Sequence, residues 1–255
     1  MPDTDTLSPT LPSVSNKPTG SALRTPKGRY WKDLTKLGWT RLGARLPDAL
    51  LLKARIWLDY LNAGRWLSNR KFLPGPRVQG GREVFTTVAA QIAESPVAYL
   101  EFGVFDGYTM RLWSSLLKNP ESRLVGFDSF EGLPEDWGSN CPKGTFTRNG
   151  MIPQIADSRV DFVKGWFQDT LPQFNFVERE QLVILFDADL YSSTLFVLKE
   201  LRDRIKVGTI LIFGEFSDCA HELRAFEEFL NETGMKFELV VADFSLVFVA
   251  FRRVS

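Results

Sequence analysis

The residues whose types could do chemistry gather at the ends of short apolar runs. The stretch Ala98-Tyr99-Leu100-Glu101-Phe102-Gly103-Val104-Phe105-Asp106-Gly107 closes such a run with a carboxylate and then sets two glycines four apart. Gly103 and Gly107 let the backbone turn sharply and approach a ligand where a Cβ would collide. A second run, over 124–127, ends in Asp128, where an open α/β sheet binds a ribose, because a carboxylate accepts from both vicinal hydroxyls. Capping of the next helix is the competing use of that aspartate. A wholly apolar run over 182–186 ends in Asp187-Ala188-Asp189. Two carboxylates so close cost free energy unless something offsets them, and a divalent cation held by oxygen ligands would do so. A cap on the helix that opens near Ser192 is the other use of Asp189. His221, the only histidine, is a natural general base near neutral pH, although a lone helical histidine also serves as an ordinary surface residue.

These groups need elements to position them. After Gly107 the apolar positions Met110, Leu112, Trp113, Leu116 and Leu117 fit a helix face. Strand, glycine turn and helix describe the first nucleotide-handling unit of an α/β sheet, although the dinucleotide fingerprint wants one more glycine than is present. The pattern predicts strands at 97–102, 123–127, 160–163, 182–186 and 209–213, with helices near 83–94, 108–118, 192–206 and 218–233. Asp218 is expected to cap the last of these helices. Such alternation argues for a parallel sheet with helices on both faces. Two final strands, 236–241 and 246–252, are joined by a loop too short for a parallel crossover, so the last strand must return antiparallel.

Composition bounds the class. The chain has 255 residues, 44% hydrophobic and 24% charged, enough for one domain with a sizeable core plus an extension. No apolar run reaches the length of a membrane-spanning helix, and the first residues lack a secretory apolar core. Two cysteines, Cys141 and Cys219, give no disulfide framework and suit a reducing cytoplasm. The zero net charge conceals a split: residues 1–80 hold 14 Lys and Arg against 5 Asp and Glu, and the remainder holds 17 against 26. Residues 1–28, rich in Pro, Ser and Thr, are expected to be a disordered tail. Residues 29–76 form a basic helical extension, with a helix over 47–71 whose stripe includes Leu51, Ala54, Leu58 and Leu61. Two readings of that helix stay open: a lid or homo-oligomer contact, or peripheral contact with a membrane surface. Leu73-Pro74-Gly75-Pro76 marks the boundary with a domain over 77–255.

The segments 101–104, 127–134, 165–172 and 187–194, in that order, resemble the macrocin O-methyltransferase family of class I S-adenosylmethionine (SAM) methyltransferases. The resemblance covers roughly 80–252 and implies a Rossmann-like, mostly parallel seven-stranded sheet with an antiparallel C-terminal hairpin. It implies a SAM-dependent O-methyltransferase acting on a hydroxyl of a small metabolite, a sugar or other natural product. Glu101, Gly103, Gly107, Asp128, Ser129 and Phe167 would then serve SAM, with core packing the alternative for Phe167. Asp187 and Glu215 would bind magnesium, and Asp189 would be the base, with His221 a second catalytic candidate. One departure stands out. Gly214 occupies the place where the family has the first of two acidic residues after the fifth strand, which puts metal dependence in doubt. The alternative is a protein of the same fold with another acceptor or chemistry, or a SAM-binding subunit that has lost catalysis. A nucleic-acid substrate is not expected, because the catalytic part is acidic and no Asn/Asp-Pro-Pro-aromatic motif follows the 182–186 run.

Overall fold

The computed structural model describes residues 27–138 and 141–255. The tail expected over 1–28 therefore lies outside the described residues except for its last two, which begin a helix. The elements run α1 (Lys27–Gly43), α2 (Asp48–Asn69), β1 (Arg77–Val78), α3 (Gly81–Ala89), β2 (Val97–Phe102), α4 (Tyr108–Leu116) and β3 (Arg123–Asp128). Then follow β4 (Val160–Lys164), α5 (Phe167–Thr170), β5 (Gln181–Phe186), α6 (Tyr191–Glu200), β6 (Ile210–Phe213), α7 (Glu222–Thr233), β7 (Phe237–Asp243) and β8 (Val249–Arg253). The chain divides into two compact units, Met1–Leu51 and Leu52–Ser255. In the first, α1 exposes Trp39 and Leu42. The second contains the sheet.

Eight strands lie in the order β1-β7-β8-β6-β5-β2-β3-β4. Pairing is parallel throughout except where β8 meets β6 and β7, so the last strand does return antiparallel. The eighth strand is β1, two residues added parallel to β7 at the edge and too short to carry a periodic signal. α7 ends at Gly234, whose φ of 67° is the left-handed stop that glycine allows. Asp218 does not cap that helix. His221 stands at the cap position, and Asp218 Oδ1 accepts the Ala220 N–H one turn earlier. Among the described residues no helix is long and apolar enough to cross a membrane.

Alternation along the central strands divides the core into two layers. Leu100, Phe102, Ile184, Phe186, Leu211 and Phe213 face α6, α7 and the end of α2. Tyr99, Val183, Leu185, Ile210 and Ile212 face α3 and α4. At the carboxyl ends the register aligns Phe127, Phe102, Phe186 and Phe213 on four adjacent strands. Their rings stack, with centroids 4.8 Å apart for Phe102–Phe127 and 4.9 Å for Phe186–Phe213. Offset aromatic stacking favours this geometry beyond burial alone. The result is a rigid phenylalanine row directly beneath the loops that leave these strands.

Candidate active site

Those loops enclose a cavity of about 270 Å³ beyond the carboxyl ends of β2, β3, β5 and β6. Its wall brings together Gly103, Asp128, Ser129, Asp187, Asp189 and Glu215. Phe167 joins them, its ring edge-on to Phe102 at 5.4 Å, so it packs on the core and lines the cavity at once. Close approach explains Gly103: with φ at 91°, a Cβ there would fall on the Asp187 carbonyl oxygen. The backbone bond from Asp187 N–H to the Phe102 carbonyl (2.9 Å) fixes the same juxtaposition. The glycine turn and the D-x-D thus touch.

Asp128 is more heavily used than a ribose acceptor alone would be. Its Oδ2 accepts the N–H groups of Val104 (2.8 Å) and Phe105 (2.9 Å), and Oδ1 accepts that of Phe130 (2.7 Å). The carboxylate therefore ties the glycine turn to the end of β3. Phe105 and Phe130 both have left-handed φ values, 51° and 57°, which cost non-glycine residues free energy. The Asp128 bonds offset that strain.

Three predicted residues lie elsewhere. Gly107, at the N-cap of α4 with φ at 79°, faces Pro153 and not the cavity. Glu101 is 1% exposed inside β2, where its Oε2 accepts the Tyr99 hydroxyl proton at 2.6 Å and its Oε1 has no partner. Burial pushes Glu101 well above the usual carboxylate range against that hydrogen bond, and the Asp187 charge adds to the rise. His221 lines a neighbouring cavity, and its Nδ1 accepts the Tyr191 N–H at 3.3 Å. An Nδ1 engaged as acceptor leaves Nε2 as the nitrogen that can donate from the neutral ring.

The carboxylates perturb one another. Burial, followed by the Glu215 charge, pushes Asp187 up to about 7. Burial, followed by Asp187 and Glu215, pushes Asp189 up to about 8. Glu215 rises to about 7 through burial and the charges of Asp218 and Asp243. Asp189 also has a left-handed φ of 61°, and the N-cap residue of α6 is Leu190, so Asp189 does not hold the cap position. Burial and mutual repulsion thus favour the protonated forms of these groups in the cation-free protein. Among the described residues no group of three or more His, Cys, Asp or Glu side chains is arranged to hold a metal ion. At Gly214 a Cβ would meet Asp187 Oδ1 and crowd the Phe186 carbonyl, so the space of a side chain there is already taken.

Sequence reasoning missed several wall residues. Phe105, Trp137, Phe146 and Ser193 line the cavity. Two of them come from the long connection between β3 and β4, where aromatics amid Gly and Pro were the available signal. Glu222 was also missed. Fully buried, it accepts the Glu215 N–H at 3.0 Å through Oε2 and leaves Oε1 without a partner.

A mostly parallel sheet ending in an antiparallel pair, with a glycine turn and acidic strand ends around one cavity, defines a class I SAM-dependent methyltransferase. The chain belongs to the macrocin O-methyltransferase (TylF) family, whose model matches residues 76–253. It is 26% identical over 205 residues to a demethyldecarbamoylnovobiocin O-methyltransferase of Streptomyces niveus, covering 71% of this chain and 76% of that one. It is 27% identical over 158 residues to an 8-demethyl-8-(2,3-dimethoxy-alpha-L-rhamnosyl)-tetracenomycin-C 4'-O-methyltransferase of Streptomyces olivaceus, covering 51% of this chain and 58% of that one. The crystal structure of a calicheamicin methyltransferase shares the fold with a TM-score of 0.51 at 19% identity, covering 93% of this chain and 99% of that one.

Proposed function

We propose that this enzyme transfers a methyl group from SAM to a sugar hydroxyl of a natural product, with Asp189 taking the hydroxyl proton. One observation carries the reading: the glycine turn and the Asp187–Asp189 pair meet in a single cavity, with Gly103 packed against the Asp187 backbone. The cavity suits the cofactor, since the missing Cβ at Gly103 leaves room for close backbone approach and the acidic wall suits a sulfonium cation. Gly103, Asp128, Ser129 and Phe167 would hold it. Glu101 and Gly107 support the turn from outside the cavity.

SAM supplies an already activated methyl group, so the protein has mainly to align the acceptor and exclude water. Asp128 holds the glycine turn in shape, and each of its oxygens has two acceptor sites, so a ribose hydroxyl still finds one free. Asp189, raised to about 8, is matched to general-base work near neutral pH. Asp187 and Glu215 are the side chains that magnesium would meet. With no carboxylate at 214, and with the space for a side chain there taken by Asp187, turnover in this reading needs no cation. His221, whose Nε2 faces Asp218 in the neighbouring cavity, takes no proton in this reading.

The relatives' names support the acceptor class, since one of them methylates a rhamnosyl tetracenomycin. We read α2 from Leu52 onward as the lid over the acceptor, and the free cysteines Cys141 and Cys219 as suited to the cytoplasm. The test is incubation with methyl-labelled SAM and a panel of hexosides and deoxyhexosides. Label in a sugar hydroxyl supports the reading, and label in no acceptor of any class contradicts it.

A further inference from the structure

Another cavity, about 450 Å³ and larger than the catalytic one, lies at the opposite end of the sheet, by the amino ends of β2, β3 and β5. Ala98, Leu100, Val125 and Leu182 form its floor. Parallel strands are usually joined by a helix that covers the sheet. The connection from β4 to β5 instead holds only the four residues of α5 and one 3₁₀ turn, Leu171–Gln173, and then runs irregularly to Gln181. The floor records the missing cover. Ala98, Leu100 and Val125 keep 9%, 4% and 8% exposure, whereas Val97, Tyr99 and Leu124, on the other face, keep none.

The walls are aromatic and basic. The rings of Phe174 and Phe176 meet edge-on at 4.8 Å, and the Arg204 guanidinium lies 4.1 Å over the Phe176 ring. Arg204 and Lys206 share Glu178, at 3.8 and 3.4 Å. Arg123 and Arg179 have no ion-pair partner among the described residues, and both are tied to a single turn. Arg123 Nη1 donates to the Ser122 carbonyl at 2.8 Å, and Arg179 Nε donates to the Glu121 carbonyl at 2.5 Å. Among the described residues Arg123 Nε and Nη2 and Arg179 Nη2 are left without acceptors, so two partly buried guanidinium groups keep charge and donors to spare. Asp161 and Glu180 also line the cavity, but they are exposed, where water and salt screen them. An apolar floor, aromatic walls and unpaired guanidinium groups at one rim match an aromatic ring that bears a carboxylate.

One segment joins this cavity to the catalytic one. Trp166, Phe167 and Gln168, from the start of the 165–180 connection, line the catalytic cavity, and residues 174–180, from its end, line this one. Phe174 also meets Phe127 edge-on at 5.1 Å, and Phe127 belongs to the phenylalanine row beneath the catalytic loops. We propose that this cavity is an effector site for an aromatic carboxylate, whose binding shifts the 165–180 connection and with it the cofactor affinity of the catalytic cavity. The coupling rests on the SAM reading of the catalytic cavity, and the effector site itself does not.

The test titrates 2-naphthoate and its uncharged isostere 2-naphthamide into the full-length protein by calorimetry, with and without saturating S-adenosylhomocysteine, the demethylated cofactor. The proposal expects 2-naphthoate to bind once per chain and more tightly than 2-naphthamide by about ten-fold or more, the weight of charge-assisted hydrogen bonds. Arg123→Gln/Arg179→Gln should erase that preference. Ala98→Leu, which fills the floor and keeps both cations, should weaken both ligands, and neither variant should change the affinity for S-adenosylhomocysteine alone. In the wild type, saturating S-adenosylhomocysteine should change 2-naphthoate affinity by about five-fold or more without excluding it, and 2-naphthoate should change cofactor affinity by the same factor. Absent 2-naphthoate binding, equal binding of the amide, or binding that survives both variants overturns the site. Complete displacement by S-adenosylhomocysteine places the ligand in the catalytic cavity and overturns it too, and an unchanged affinity overturns the coupling. Failure of S-adenosylhomocysteine itself to bind contradicts the methyltransferase reading instead, while the cofactor-free titrations still decide the site.

Discussion

Asp189→Asn is the most informative perturbation of the proposed chemistry. Asparagine keeps the shape of the side chain and tolerates the left-handed φ of 61° as aspartate does, so the backbone entering α6 stays in place. Only the charge and the basicity change. Loss of general-base assistance should lower kcat by about 10²–10⁴. With a value of about 8 in the free protein, roughly one tenth of Asp189 is ionised at pH 7 and half at pH 8. The wild-type kcat/KM for SAM should therefore rise about five-fold across that interval and about two-fold more before levelling off above about pH 9. The profile of kcat, which reports the loaded enzyme, should inflect at a lower pH, because the sulfonium charge favours the carboxylate. The assay is label transfer from methyl-labelled SAM at saturating acceptor between pH 6 and 9.5. In Asp189→Asn both limbs should flatten while calorimetric SAM affinity stays nearly constant. An unchanged kcat, or an inflection that survives the substitution, would refute the assignment.

Asp128→Ala removes three acceptor contacts to backbone N–H groups, at 2.7–2.9 Å, and should weaken SAM binding by about 1–3 kcal/mol, read by calorimetry. Chelator should leave kcat unchanged, and Gly214→Asp should lower the thermal midpoint without creating magnesium dependence, because its Cβ meets Asp187; tighter magnesium binding in that variant would count against the protonated cluster. Because folding raises Asp187, Glu215 and Asp189 to about 7, 7 and 8, the folded state binds more protons than the unfolded one from about pH 4 upward. Their contribution is thus fully present at low pH and lost as pH rises through 7–8, so the Tm of the cofactor-free protein should fall by about 5–10 °C between pH 6 and 9.

The parts of this site that were legible in the sequence are those fixed by strand ends. An apolar run that stops at Glu101-Phe102-Gly103 or Phe186-Asp187 states where the sheet ends, and in an open α/β sheet ligands bind there. The antiparallel return of β8 followed from loop length alone. What was illegible depends on three-dimensional neighbours. Nothing local reveals that Asp128 binds the N–H groups of Val104 and Phe105, residues more than twenty positions earlier. Glu101 has the residue type of a ligand, but its position within β2 buries it under the turn beside Tyr99. Asp218 looked like a helix cap, yet the chain makes one more turn and α7 starts at Glu222. Trp137 and Phe146 sit in an irregular connection, where no periodicity tells a wall residue from an exposed one.

The central claim is that the cavity joining Gly103 to Asp189 is a SAM site, and titration of SAM into the wild-type protein and Gly103→Ala tests it most directly. A methyl group at 103 is forced onto the Asp187 carbonyl in a backbone conformation that L side chains resist. The account predicts saturable SAM binding to the wild type, competed by S-adenosylhomocysteine, and its loss in Gly103→Ala with the circular dichroism of the fold retained. Wild-type protein that binds no SAM, or a folded Gly103→Ala that binds it equally well, would contradict the account.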